Sequence, residues 1–236
     1  MATDLTTTSY AVLGLLSLRS WTTYELAEQM KRAIGQYWPR AESGIYREPK
    51  KLEARGLARS TTEYVGQRPR TRYTITPAGR RALAAWVPSP GAGPVIEFEQ
   101  LVKVFFAEQA TKADLLATLG GVRTCIEDRA AAAPGIPQEY LEKRGAYPER
   151  LPWLILTGRF LDEIRQAVDR WAAWAIDVVE TWPDDLALAE PDREALTTMA
   201  ANDEALVARA LARRVESAPS GPRRRRAASG DLGGDA

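Results

Sequence analysis

The side chains of this sequence with the capacity for specific chemistry are cations, and they come in two groups. Ser43, Tyr46, Arg47, Lys50 and Lys51 lie within SGIYREPKKLEARG, and Arg68, Arg70 and Arg72 follow within VGQRPRTRY. Lysine and arginine at this density bind polyanions, with tyrosine and serine hydroxyls adding hydrogen bonds that fix a pose. Other chemistry is scarce. The chain has no histidine and a single cysteine, Cys125. Histidine-based nucleophile activation, the common zinc ligand sets and an internal disulfide are therefore excluded. An enzyme would have to work through carboxylates such as Glu97, Glu99, Asp162 and Glu163. These stand beside arginines at helical spacing, the pattern of surface ion pairs. No catalytic residue, metal or cofactor is expected.

Two elements must position the cations. At 100° per residue, Ile45, Pro49 and Leu52 share one narrow apolar stripe, while Ser43, Arg47, Lys50, Lys51 and Ala54 face away and Tyr46 sits at the edge. The spacing predicts a short helix from Ser43, its capping residue, to Gly56, which ends it in a left-handed conformation. Leu57 to Ile75 is rich in Thr, Tyr and Val and is broken at VGQRPR, which predicts a two-stranded hairpin with a long basic tip. A basic helix followed at once by a basic hairpin suits duplex DNA, the helix in the major groove and the hairpin along the backbone or minor groove.

Upstream, Thr6 to Ser9 supply caps for an almost wholly apolar helix over Tyr10 to Leu18. Arg19, Ser20 and Trp21 are expected to turn. Thr22 and Glu25 form a capping box for a helix that faces Leu26, Ala27 and Met30 inward. Trp38 reads as a core plug, and Thr76-Pro77 starts a helix running to Trp86. The charge is uneven. Up to Val87 there are 14 Lys and Arg against 7 Asp and Glu, and beyond it 18 against 24, so a net +1 conceals a basic half and an acidic half. An acidic protein is an alternative partner for the basic half.

The run from Ser9 to Leu83, with SYAVLGLLSLRSWTTYEL, then SGIYREPKKLEARGL, then RPRTRYTITPAGRRAL, resembles the DNA-binding half of the PadR family of transcriptional regulators. Many members carry Tyr-Pro-x-Leu where this chain has Tyr46-Arg47-Glu48-Pro49, and Pro49 at that depth is expected to kink the helix. The resemblance implies a winged helix-turn-helix with a two-stranded wing, followed by an all-α dimerisation domain. It also implies a repressor acting on a double-stranded operator, with Ser43, Tyr46, Arg47, Lys50, Lys51, Arg68, Arg70 and Arg72 contacting DNA.

On this reading residues 1–87 form the DNA-binding domain, 88–94 (PSPGAGP) a linker, 95–184 a helical domain, 185–216 an extra helix and 217–236 a disordered tail around Arg223 to Arg226. Val95 to Trp182 reads as helical throughout, ending in a long helix from about Pro152 to Trp182. Its stripe from Trp153 through Phe160, Trp171 and Trp174 is too wide and too aromatic for a lone surface helix, so a second copy of the chain is the expected cover. PadR-like proteins dimerise through such a domain, and family members often respond to small aromatic molecules. Phe105, Phe106, Trp153, Trp171 and Trp174 either line a cavity for such an effector or form dimer core. The alternative is DNA binding without effector sensing, or a protein-interaction module. With neither a membrane-length apolar run nor a signal pattern at MATDLTTTSY, a cytoplasmic, membrane-free location is expected.

Overall fold

The computed structural model describes residues 5–39, 44–131 and 135–217. Ser43 and Arg223 to Arg226 lie outside the described residues. The elements run α1 (Thr7–Leu18), β1 (Trp21–Thr22), α2 (Thr23–Ala33), α3 (Glu48–Ala54), β2 (Ala58–Val65), β3 (Arg68–Ile75) and α4 (Pro77–Trp86). Then come α5 (Glu99–Phe105), α6 (Lys112–Ala131), α7 (Ile136–Leu141), α8 (Leu151–Thr181) and α9 (Arg193–Ser217). The chain divides into two compact units, Met1–Leu101 with Val122–Trp171, and Val102–Gly121 with Ala172–Ala236.

In the winged part of the first unit, side-chain caps start α1, α2 and α4. Thr6 caps α1 in a reciprocal box with Ser9, and Thr22 caps α2 with Glu25. Thr76 accepts from the Gly79 amide at the start of α4, whose first residue is Pro77. These caps satisfy amides that a helix start leaves without partners. The buried faces of α1, α2 and α3 then meet the sheet. Val12, Leu13, Leu16, Leu26, Ile45 and Leu52 pack with Trp21 and Tyr73 in one core. Removing each such aliphatic side chain from water contributes roughly 1.5–3 kcal/mol. Trp38 is partly buried against this core, its Nε1 donating to Thr8 Oγ1 at 3.3 Å. Tyr10 stacks on Trp86, ring centroids 4.7 Å apart.

Four local expectations change. Trp21 does not lie in a turn: Trp21 and Thr22 form a strand pairing with Tyr73 and Arg72, so the sheet has three strands in the order β1-β3-β2. The Trp21 indole is fully buried and donates to the Leu15 carbonyl at 2.9 Å, while the strand itself depends on Tyr73, far along the chain, which local pattern does not encode. Secondly, α3 begins at Glu48 rather than Ser43, with Arg47 at its N-cap. Pro49 therefore lies in the first turn, where its missing amide has no helical partner to lose, and no kink is required. Thirdly, the hairpin tip is short. Val65 pairs directly with Arg68 across Gly66-Gln67, and Pro69 lies within β3 opposite Tyr64. Fourthly, the helix expected from Val95 starts only at Glu99, and residues 90–98 are irregular. Gly56 takes the left-handed conformation foreseen for it, at φ +68°.

The second unit contains the start of α6 and the end of α8. Leu115, Leu119, Ala172, Ala175 and Val179 are its buried apolar residues. Lys112 Nζ donates to the Glu180 and Trp182 carbonyls at 2.9 and 2.6 Å, placing a cation at the negative end of α8. No described helix is long and apolar enough to cross a membrane.

Candidate nucleic-acid interface

The outer side of α3 is built by what its inner side buries. Ile45, Glu48, Pro49 and Leu52 point inward, which leaves Tyr46, Arg47 and Lys50 exposed, Tyr46 at 60%. Neither the Arg47 nor the Lys50 side chain has a hydrogen-bonding or ionic partner among the described residues. Lys51 differs. It is only 31% exposed, its Nζ lying 3.2 Å from Glu48 Oε1 and 3.4 Å from Ser9 Oγ. Ser9 in turn donates to Glu48 Oε2 at 2.6 Å, in a buried contact. Lys51 thus neutralises a buried carboxylate, and much of its charge is spent within the fold.

The wing presents its cations on one face. Residues paired directly across an antiparallel ladder share a face, and successive residues alternate. Arg68, Arg70 and Arg72 therefore stand together with Arg59, Thr61 and Glu63, opposite the face that buries Tyr73 and Ile75. Arg59, Arg68 and Arg70 are exposed and lack an acidic partner among the described residues. Arg72 is instead a tie. Its Nε donates to Glu63 at 2.8 Å, and its Nη1 contacts the Ser20 carbonyl at 2.9 Å and Glu25 at 3.4 Å. The hydrogen bond to Glu63 is the main reason its pKa rises above the ordinary arginine value. Glu25 is held below the usual carboxylate range, chiefly by the Thr22 amide, with help from Arg72 and Arg19.

Arg59 and Glu48 were missed from sequence. The register shows Arg59 on the cationic face, which only strand pairing reveals. Glu48 carried a readable signal, since it follows Ile45 by three residues and precedes Leu52 by four, the inner-face spacing.

The five aromatic residues proposed for an effector do not form one cluster in either unit. Phe105 and Phe106 contact each other edge to face, centroids 5.0 Å apart. Trp171 meets Phe98 at 6.1 Å, Trp153 is 61% exposed, and Trp174 Nε1 donates to Asp192 at 3.3 Å. Phe106 does border a cavity of about 360 Å³, with Val102, Lys103, Gln109, Asp114 and Leu115 among its lining residues. No cluster able to hold a metal occurs among the described residues.

A short helix on a capped helical pair, followed by a hairpin with a cationic face, defines a winged helix-turn-helix domain. Residues 12–85 match the family described as "Transcriptional regulator PadR-like family", a stretch that takes in most of the winged domain. The chain is 31% identical over 99 residues to the negative transcriptional regulator PadR of Bacillus subtilis, covering 41% of this chain and 54% of that protein. It spans about half the length of the curated relatives it matches. Bacillus subtilis PadR in complex with operator DNA superimposes with a TM-score of 0.60 at 22% identity, over 72% of this chain and 98% of that one. The same protein in complex with p-coumaric acid gives 0.55 at 22% identity, over 73% and 98%. At that identity the likeness establishes the fold, which here extends from the winged domain into the helical region.

Proposed function

We propose that this protein is a PadR-like transcriptional regulator that binds operator DNA as a homodimer and represses, and that it is not an enzyme. One observation carries the reading: Arg47 and Lys50 on α3, and Arg59, Arg68 and Arg70 on one wing face, are exposed cations without acidic partners among the described residues. In the proposed complex Tyr46, Arg47 and Lys50 reach base edges in the major groove, with Ser43 and Lys51 in lesser contact, while Arg68 and Arg70 hold phosphates. Arg72 shapes the wing that does so. Repression is taken from the relative named a negative regulator. Such a regulator works in the cytoplasm, on the chromosome.

Residues 1–87 are the reading domain in this proposal, 88–94 the linker and 95–184 the dimerising domain. Support for the dimer comes from α8, where Trp153, Leu156 and Phe160 are between 50% and 71% exposed in the single chain. A twofold dimer sets two reading helices against half-sites about 34 Å apart. A planar aromatic effector is a further part of the proposal, motivated by the cavity beside Phe106 and by the relative solved with p-coumaric acid.

Fluorescence anisotropy with DNA from upstream of the protein's own coding region tests this. An Arg68→Ala/Arg70→Ala variant that binds as tightly as the parent would overturn it. Titration with planar aromatic acids, read by tryptophan quenching and DNA release, tests the effector. Tight DNA binding that no such compound alters leaves an unregulated DNA-binding module.

A further inference from the structure

The last helix carries an apolar stripe that its own chain leaves bare. Asp192 caps α9 by accepting from the Ala195 amide at 2.9 Å and receives the Trp174 indole N–H at 3.3 Å. Beyond this anchor almost everything is exposed: from Arg193 to Glu216 only Ala195 and Ala210 are half-buried. Leu196, Met199, Leu206, Val207 and Leu211 are each between 49% and 64% exposed. At 100° per residue these side chains cover one side of the helix. A helix of 25 residues with so little of its apolar side packed draws little stability from its own chain.

The charges within the stripe indicate what covers it. Asp203 and Arg214 lie close to the middle of the apolar side, among the residues that any partner would bury. Neither side chain has a hydrogen-bonding or ionic partner among the described residues. Eleven positions separate them, three helical turns, so they share a face but stand roughly 16 Å apart and cannot neutralise each other within one helix. Arg214 lies in the last turn of α9, where the helix dipole favours a cation, but Asp203 stands near the middle of the helix and has no such support. A purely apolar partner would strand both charges, which is costly.

We propose that α9 pairs antiparallel with α9 of a second copy of this chain, about a twofold axis between Ala208 and Arg209. That register sets Asp203 of each copy against Arg214 of the other and Val207 of each against Ala210 of the other, with Leu206 and Leu211 beside them. Each of these three pairings is then made twice, as an isologous interface requires. The partner's chemistry is that of the helix itself, inverted. This surface is separate from the aromatic stripe of α8, and it holds whether or not the protein binds DNA.

The test uses the full chain with Cys125→Ser as background. Val207→Cys/Ala210→Cys places two thiols at one level of the proposed pair, within disulfide reach. Ala205→Cys/Ala212→Cys places them at matching levels on the opposite side of the helix. The first variant is expected to oxidise to a covalent species of twice the chain mass, and the second to remain uncrosslinked. Adding Asp203→Arg to the first variant is expected to slow crosslinking about tenfold, since two attractions become two repulsions. Adding Arg214→Asp as well is expected to restore it. Both charged positions are exposed, so neither change removes packing from the single chain. Equal crosslinking on the two sides of the helix, indifference to Asp203→Arg, or failure of the double reversal to restore the rate would overturn the proposal.

Discussion

The Ser9 hydroxyl donates to Glu48 Oε2 across 2.6 Å in the interior of the winged domain, joining the first turn of α1 to the first turn of α3. Lys51 closes the group from the solvent side. The helix that carries Tyr46 and Lys50 is thereby pinned at its start, where its apolar contacts alone would let it rotate. Glu48→Ala removes the acceptor that the Ser9 hydroxyl and the Lys51 ammonium share, and is expected to cost about 1–3 kcal/mol in urea denaturation. Glu48→Gln keeps an acceptor for Ser9 and should cost less.

Arg70 and Arg72 are neighbours on one strand face with opposite expected phenotypes. Arg70→Ala should weaken binding to all DNA sequences, lower the salt dependence by about one phosphate contact, and leave the unfolding midpoint unchanged. Arg72→Ala should lower stability by about 1 kcal/mol, because it releases Glu63, Glu25 and the Ser20 carbonyl together. Salt-dependent anisotropy and a denaturant melt on both variants check the pair.

Tyr46 is 60% exposed and holds no buried contact that its loss would expose. Tyr46→Ala is expected to leave stability within about 0.5 kcal/mol of the parent. Its effect should fall on the ratio of operator to random-sequence affinity. An unchanged ratio would remove Tyr46 from the reading surface.

Acid should loosen the joint between α2 and the wing. The folded-state pKa of Glu25 is depressed, chiefly by the Thr22 amide, so its contribution is present above the ordinary glutamate pKa and is lost as pH falls through the lower folded value. Glu25 is partly solvated, so the effect is screened and small. Parent and Glu25→Gln should differ in melting temperature at neutral pH and converge below the carboxylate range.

Gly79 is buried, and a Cβ there would collide with the Leu57 carbonyl and with Ile75 Cγ1. Gly79→Ala should therefore destabilise the domain, by about 1–3 kcal/mol if the neighbours shift to make room. Thermal melting shows whether α4 tolerates the displacement.

Much of the winged domain was legible because its signals are local. The caps among Thr6 to Ser9, the capping box at Thr22, the Thr76-Pro77 start and the glycine after α3 depend on residues within a few positions of one another. What escaped depends on distant residues. Trp21 became a strand because Tyr73 lies beside it, and Lys51 turned inward because Ser9, far earlier in the chain, helps to hold Glu48 in place. The candidate DNA contacts divide in the same way: exposure of Tyr46 and Lys50 followed from helical period, whereas the tying role of Arg72 needed the fold.

Pro69 has one more effect. With Val65 and Arg68 closing the hairpin turn, the β3 amides of Arg68, Arg70 and Arg72 point toward β2, and position 69 points the other way. On that side β1 reaches only Arg72 and Tyr73, so the strand near the tip has an open edge. A proline offers no donor there, and a neighbouring molecule finds no complete ladder to extend. The wing can stay long, flat and available to a duplex without becoming a seed for sheet-to-sheet aggregation.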